Sequence, residues 1–307
     1  MQSLCVAVAV AWTASSEPCP VFASAELSGD SNARQATAEP AAQAQPRLDL
    51  NSQRAHVLLV EKARRGKIDV YFEGDSITRR WGATDPQHKD LLANWNENFF
   101  GWNAADFGWG GDTVQNILWR LEHGELDDVH PRIIVLMAGT NNLGGPPAAD
   151  GEQAKVDEVT RGLQAILTTM RQKAPEATII LMGITPRNDP RGAASAQAIH
   201  EINDRISRLA DGRKIRYLNI NGRLTDQNGR LLEGMTVDGL HLTVKGYQVW
   251  ADALKPIFTD LLGPPAQTDH APPPTGDPSA NAPTSPFRDG SDAGPSRPGD
   301  EGHRGRG

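Results

Sequence analysis

Short apolar runs alternate with amphipathic stretches through the middle of the chain. The apolar runs cover residues 68–72, 104–107, 133–138, 178–184 and 215–220. Three of them are rich in Ile and Val and nearly continuous, which is typical of strands covered on both faces. Apolar residues at helical spacing mark residues 51–65, 113–123, 154–173, 195–209 and 244–262, the first stretch opening with an Asn cap. This alternation predicts an α/β protein in which helices cover both faces of a parallel sheet.

The two ends of the chain differ in composition from this middle part. Residues 263–307 are rich in Pro, Gly, Ser and Asp, and such a segment buries too little apolar surface to fold. We therefore predict a disordered tail there. Residues 26–46 are rich in Ala and Gln, lack an apolar period and are predicted to be a disordered linker. Residues 47–262 form one predicted domain of ordinary size.

An apolar segment at residues 4–12 is followed by small residues that fit a cleavage site after Ala25. We predict a signal peptide over residues 1–25 and a periplasmic or secreted protein. Against this, the first residues carry no Lys or Arg, and without cleavage the protein would be cytoplasmic. Cys5 and Cys19 both precede the predicted cleavage site. A mature domain would then have no disulfide, no cysteine nucleophile and no thiolate metal site.

The charge and hydropathy of the chain argue against two kinds of partner. The formal net charge is −7, and the body of the chain has no basic run. We therefore expect no nucleic-acid partner. No apolar run approaches the length of a membrane span, so we expect none. These properties leave the oligomeric state undefined.

Polar, glycine-rich motifs lie where predicted strands end. Residues 74–78 follow the first strand, 108–112 the second and 139–142 the third, while 238–241 precede the last helix. Ligands of parallel sheets bind at the carboxyl ends of the strands. The motifs are therefore expected to meet at one edge of the sheet.

Ser76 and His241 carry the side chains in these motifs that suit nucleophilic catalysis. A serine hydroxyl needs a base, and a histidine base needs a carboxylate that orients it. Asp238 lies three residues before His241, a spacing that brings both side chains to the same side of a tight turn. From these residues alone, a helix cap at Ser76 and a surface histidine after an Asp-Gly turn stay open as alternatives. Thr78 stands where the Gly-x-Ser-x-Gly elbow has glycine, which disfavours that hydrolase class.

Donors for a developing oxyanion are also present. The backbone N–H groups of Ser76 and Gly111 and the side-chain amide of Asn141 would make a three-donor oxyanion hole. Ordinary strand-to-helix turns favour the same residue types, so this alternative also stays open.

Taken together, the motifs resemble those of the SGNH (GDSL-type) hydrolase superfamily, block by block and in chain order. The resemblance implies that Ser76 is the nucleophile and that Ser76, Gly111 and Asn141 form the oxyanion hole. It also implies that Asp238 and His241 complete the catalytic triad.

The resemblance further implies a fold, a chemistry and a substrate class. The fold is a three-layer α/β/α sandwich, flavodoxin-like, with five parallel strands in the order 2-1-3-4-5, and catalysis uses no metal and no cofactor. Residues 110–121 are similar to the branch of platelet-activating-factor acetylhydrolase Ib catalytic subunits and bacterial acetylesterases. We expect a serine esterase for short acyl groups, such as acetyl, on carbohydrates or small alcohols. Lysophospholipid or thioester hydrolysis is the alternative.

Two hypotheses come from other functional classes. A non-catalytic binding module on this fold is disfavoured because no residue of the expected triad is missing. A flavin-binding protein is disfavoured because Asp75 would lie where phosphate oxygens bind. The tryptophans between Trp81 and Trp119 either line an acyl or sugar pocket or pack in the core, and core packing is expected for Trp119.

Overall fold

The domain is built on a five-stranded parallel sheet with the strand order β2-β1-β3-β4-β5. The structure, a computed structural model, describes residues 43–144, 151–190 and 195–281. The strands are β1 (Val70–Gly74), β2 (Ala104–Asp106), β3 (Ile133–Met137), β4 (Thr178–Met182) and β5 (Ile215–Leu218). Val70 of β1 lies opposite Ala104 on one side and Ile133 on the other. The predicted fold class and strand order are confirmed.

Helices cover both faces of the sheet. They are α1 (Leu50–Ala63), α2 (Ser76–Gly82), α3 (Lys89–Phe99), α4 (Val114–Arg120), α5 (Thr140–Leu143), α6 (Glu152–Lys173), α7 (Ala196–Ser207), α8 (Asn221–Leu224) and α9 (Val244–Leu262). α1 begins earlier than predicted, because the Asp49 carboxylate accepts the Ser52 N–H at 2.8 Å and caps the helix. The predicted cap at Asn51 is therefore wrong: its amide donates instead to Asp277, at 2.9 Å.

Successive residues of the central strands face two separate cores. Ile134 and Leu136 of β3 pack in the core shared with α4, α6 and α7. Ile133 and Val135 pack in the core shared with α3 and α9. Side chains alternate along a strand with a period of two, so a strand with a core on each face needs apolar residues at almost every position. This requirement explains the nearly continuous apolar runs.

Helix α3 has no counterpart among the predicted elements. Its apolar residues Leu92, Trp95 and Phe99 do lie at helical spacing, and Trp95 and Phe99 are buried. Four polar residues between them hide the pattern in a short window. Trp81, a candidate for a substrate pocket, is fully buried in the same core, so it does not line a pocket.

Residues 264–281, here called the C-terminal strap, lie against the domain. The Ala266 N–H donates to the Gly101 carbonyl at 2.9 Å, and the Lys67 N–H donates to the His270 carbonyl at 2.8 Å. The prediction of disorder from residue 263 onward is therefore wrong for this segment. Hydrogen bonds to the domain hold a proline-rich backbone that buries little apolar surface of its own.

Several predicted segments lie outside the described residues: the signal peptide, residues 26–42 of the linker and residues 282–307 of the tail. Residues 43–46 of the linker are described and contact the domain. The Gln45 N–H donates to the Gln115 carbonyl at 3.0 Å, and its own carbonyl accepts the Asn116 amide at 2.9 Å. In the described part of the chain, no helix has the length and apolar character needed to cross a membrane.

Candidate active site

Ser76 is the first residue of α2, directly beyond the carboxyl end of β1. The preceding residue, Asp75, caps this helix, because its Oδ1 accepts the Ile77 N–H at 2.9 Å. The interpretation of Ser76 as the helix cap is therefore wrong, and its hydroxyl is free for another partner. Burial raises the pKa of Asp75 to about 7, against the effect of the Ile77 hydrogen bond, which lowers it.

The partner of the Ser76 hydroxyl is His241. Ser76 Oγ lies 2.9 Å from His241 Nε2, and His241 Nδ1 lies 2.7 Å from Asp238 Oδ2. With its proton on Nδ1, the imidazole donates to the carboxylate and accepts the serine hydroxyl proton at Nε2. Asp238 Oδ1 also accepts the His241 N–H at 2.8 Å. Two residues 165 positions apart in the chain are thereby joined in one Ser–His–Asp chain.

The turn that carries Asp238 and His241 depends on Gly239. This residue has a φ of +79°, in the region that favours glycine. A Cβ at this position would lie 2.2 Å from Asn188 Oδ1 and 2.9 Å from the Asp189 nitrogen. The Asn188 N–H donates to the Gly239 carbonyl at 2.8 Å. The close approach of the loop after β4 therefore holds the turn in place.

The electrostatic surroundings favour a neutral histidine beside an ionised carboxylate. Burial lowers the pKa of His241; the hydrogen bond to Asp238 opposes this, and the positive charge of Arg80 adds to it. The pKa of Asp238 is also lowered: burial would raise it, but the hydrogen bonds from the backbone and side chain of His241 outweigh that effect. Arg80 Nη1 lies 3.9 Å from Asp238 Oδ2. At neutral pH the imidazole is therefore ready to accept a proton.

The turn after β2 lies next to Ser76. A Cβ on Gly110 would be 4.0 Å from the Ser76 Cβ. The Asp112 N–H donates to the Trp109 carbonyl at 3.3 Å and closes a tight turn, in which Gly111 is exposed with a φ of +82°. A turn of this kind requires a positive φ at its third residue, which glycine supplies without strain.

Asn141 lies in α5, just beyond the carboxyl end of β3. Its Nδ2 donates to the Asp112 carbonyl at 2.9 Å, which attaches the third motif to the second. An amide Nδ2 carries two hydrogens, so a second donor stays available for a ligand. All the predicted site residues therefore lie at the carboxyl edge of the sheet, just beyond the ends of β1, β2 and β3 and in the turn before α9.

Three arginines that the sequence motifs do not reveal lie around this edge. Arg187 is buried and forms a bidentate ion pair with Asp189, with contacts of 2.6 and 2.8 Å. It also donates to the carbonyl of Thr140, the neighbour of Asn141, at 2.7 Å. Arg80 lies beside Asp238, and Arg47 contacts the turn at Gly110. Only Arg80 was near a motif in the sequence. Among the described residues, no three His, Cys, Asp or Glu side chains are arranged to bind a metal ion.

Comparison with solved structures and family models defines the class of the molecule. A GDSL-like lipase from Bacteroides thetaiotaomicron has the same fold, with a TM-score of 0.54 at 22% identity over 68% of this chain and 98% of that chain. Residues 72–249 match the model of the GDSL-like Lipase/Acylhydrolase family. The chain belongs to this family and is an ester-hydrolysing enzyme.

Curated relatives agree with this membership. The platelet-activating factor acetylhydrolase IB subunit alpha2 of Rattus norvegicus is 30% identical over 197 residues, 63% of this chain and 77% of the relative. The corresponding alpha1 subunit of Bos taurus is 28% identical over 212 residues, 67% of this chain and 82% of the relative. The family match contains every predicted site residue, from Ser76 to His241.

Proposed function

We propose that the chain is a serine esterase in which Ser76 is the nucleophile, His241 the general base and Asp238 the residue that orients the base. The observation that carries the proposal is the continuous hydrogen-bonded chain, with contacts of 2.9 Å from Ser76 to His241 and 2.7 Å from His241 to Asp238. These are the contacts that a hydroxyl nucleophile requires for activation.

The proposed reaction has two steps. His241 Nε2 takes the hydroxyl proton while Ser76 Oγ attacks the acyl carbonyl, and the histidine then returns the proton to the departing alcohol. A water molecule next gives a proton to the same nitrogen and attacks the acyl-serine. The histidine then passes that proton to Ser76 Oγ as the acyl–oxygen bond breaks, which releases the acid and restores the serine hydroxyl. In both steps the negative charge on the carbonyl oxygen is held by three donors: the backbone N–H groups of Ser76 and Gly111 and the amide of Asn141.

The nucleophile is tested by Ser76→Ala. We expect kcat to fall by at least about a thousandfold, because the covalent route is lost while binding is retained. The matched control is Ser207→Ala at the end of α7, where the hydroxyl bonds only the Asp204 carbonyl in the described contacts. A fluorophosphonate probe should label the wild type and the control but not Ser76→Ala. Near-normal turnover by Ser76→Ala would refute the scheme.

For the substrate, we propose short acyl esters, acetyl above all, of carbohydrates or small alcohols. The support is the name of the relatives, acetylhydrolases that are 30% identical to this chain. The test is a panel of nitrophenyl acetate, butyrate, octanoate and palmitate, extended to acetylated xylan and acetylated sugars. Preference for the acetate supports the proposal. A much higher kcat/KM for the long acyl chains would favour the lysophospholipase or thioesterase alternative.

A further inference from the structure

We propose that Arg47, which lies outside the matched family span, is a positioning residue that fixes the peptide group carrying the Gly111 N–H. The inference rests on the proposed function, in which that N–H stabilises the oxyanion. It extends the site to the segment that precedes α1, residues 43–49, here called the N-terminal arm.

The contact is made at the opposite end of the same peptide group. Arg47 Nη1 donates to the Gly110 carbonyl at 3.0 Å. The carbonyl of Gly110 and the N–H of Gly111 belong to one planar trans peptide, so they point in opposite directions. Holding the carbonyl therefore sets the direction of the N–H. A cation on the carbonyl oxygen also polarises the peptide and makes its N–H a stronger donor.

This peptide group needs an external restraint. Both of its residues are glycines, whose backbone dihedral angles are the least restricted by sterics. Gly111 is exposed, so packing does not hold it. The guanidinium lies directly beside it: a Cβ on Gly111 would be 3.0 Å from Arg47 Nη1. In the described contacts of this peptide, the bond from Arg47 to the Gly110 carbonyl is the one that favours a single orientation of the peptide plane.

The same guanidinium is also linked, through Asp112, to Asn141, whose amide is the side-chain donor of the proposed oxyanion hole. Arg47 Nη1 lies 3.2 Å from Asp112 Oδ1, and the Asp112 carbonyl accepts the Asn141 amide at 2.9 Å. Asp112 is fully buried, and its other carboxylate oxygen accepts Arg120 Nε at 2.7 Å. Arg47 thus connects the Gly110–Gly111 turn to a residue that is fixed in the interior.

Arg47 is itself held in position. Its Nε and Nη2 contact Asp49 Oδ2 at 3.1 and 3.0 Å, and Asp49 caps α1. The arm is also tied to α4 through Gln45. The Arg47 side chain is 31% exposed, so its removal opens no cavity in the core and should leave the fold intact.

The test compares Arg47→Ala with Arg54→Ala, an exposed arginine two turns further along that faces away from the cores. With nitrophenyl acetate we expect kcat of Arg47→Ala to fall about 10- to 100-fold, because a misplaced donor costs less than a deleted one. KM should change by less than about threefold, because the oxyanion forms only after binding. Arg54→Ala should match the wild type.

Chemical rescue separates positioning from a general structural effect. Guanidinium or ethylguanidinium ion, well below denaturing concentrations, should restore several-fold activity to Arg47→Ala, while equal ionic strength from sodium chloride should not. Arg47→Lys should be intermediate, since an ammonium group cannot span the Gly110 carbonyl and both carboxylates. Unchanged kcat in Arg47→Ala, or loss of activity with no rescue and a lowered Tm, would overturn the proposal. If Ser76→Ala is inactive in the same assay, either of these results would refute the role of Arg47 alone and would leave the proposed function unaffected.

Discussion

At the scale of single residues, Asp75 and Ser76 divide two tasks at the start of α2. Asp75 supplies the cap that the helix needs, so Ser76 can direct its hydroxyl to His241. Placing Asp75 at the cap position is energetically unfavourable, because its carboxyl is only 1% exposed. A carboxyl so buried must either stay protonated or accept hydrogen bonds from nearby donors. The raised pKa of about 7 at Asp75 reflects that burial.

The pH profile of kcat/KM tests the histidine. The proposed general base, His241, would work in its neutral form, and its pKa is lowered, first by burial. Activity should therefore rise with pH through an inflection below the ordinary histidine value of about 6.5 and be lost as pH falls through it. Because Arg80 also lowers the pKa of His241, Arg80→Gln should move the inflection to higher pH.

The Arg80 variant is needed because burial raises the pKa of Asp75 to about 7, so this carboxyl is a second candidate for a titration near neutral pH. Arg54→Ala, which removes a distant exposed charge, should leave the profile unchanged. An inflection that stays in place in Arg80→Gln would assign the titration to a group other than His241.

Two adjacent asparagines are expected to have opposite roles. Asn141→Ala should lower kcat by roughly a hundred- to a thousandfold with little change in KM, because it removes a donor of the proposed oxyanion hole. Asn142 instead accepts the Val114 N–H at 3.1 Å and donates to Glu158 at 3.0 Å. Asn142→Ala should therefore lower Tm more than Asn141→Ala does. Steady-state kinetics and thermal unfolding of both variants check this, and a reversed pattern would contradict the assignment of the donor.

At the scale of elements, a buried charge cluster joins β1, the turn after β2 and α4 beneath the site. Arg120 donates to Glu73 at 2.6 Å, to Asp112 at 2.7 Å and to Glu125, all of them buried. Burial raises the pKa of Glu73 to about 8 and that of Asp112 to about 6, while Arg120 acts in the opposite direction on both. One guanidinium thereby compensates several carboxyl groups in the interior.

Removal of that guanidinium should be strongly destabilising. Arg120→Ala leaves buried carboxyl groups without their counter-charge, and we expect the free energy of unfolding to fall by about 3–5 kcal/mol. Urea denaturation measures the change, with Arg208→Ala at the exposed end of α7 as the control. A loss below about 1 kcal/mol would mean that the cluster contributes no more than a surface ion pair.

At the scale of the whole molecule, the C-terminal strap connects separate parts of the domain. The Asp277 N–H donates to Asp85 Oδ1 at 2.8 Å, and Asp85 Oδ2 accepts Arg79 Nη2 at 2.6 Å. The Arg79 guanidinium lies 4.8 Å from the centre of the Trp109 ring, at the start of the Gly110–Gly111 turn. The strap therefore supports the active-site edge from outside.

Truncation tests this support. A chain that ends at Gly263 should lose at least about 2 kcal/mol, equivalent to roughly 4–8 °C in Tm for a domain of this size, because several hydrogen bonds to the domain are removed. A chain that ends at Asn281 retains the strap and should unfold at the same temperature as the full chain. Equal Tm values for the two truncated proteins would show that the strap does not contribute to stability.

The parts of the fold that could be predicted depend on local patterns. The strands were predictable because burial on both faces imposes apolar residues in succession, and the site motifs because a turn at a strand end needs glycine and a short polar side chain. Helix α3 and the strap could not be predicted, because neither shows a clear local apolar pattern. In α3, polar residues share the helix with Trp95 and Phe99, and the strap is held by hydrogen bonds that leave no apolar period.

The sequence by itself determined the five strands, the longer helices other than α3 and the chemical types of the site residues, because side-chain periodicity and turn chemistry act over a few neighbouring positions. Tertiary structure alone decided which partners the arginines contact. Arg47 reaches Gly110 across 63 positions, and Arg120 reaches Glu73 across 47. Such contacts depend on the path of the whole chain, since a guanidinium can pair with any carbonyl or carboxylate that the fold brings within its reach.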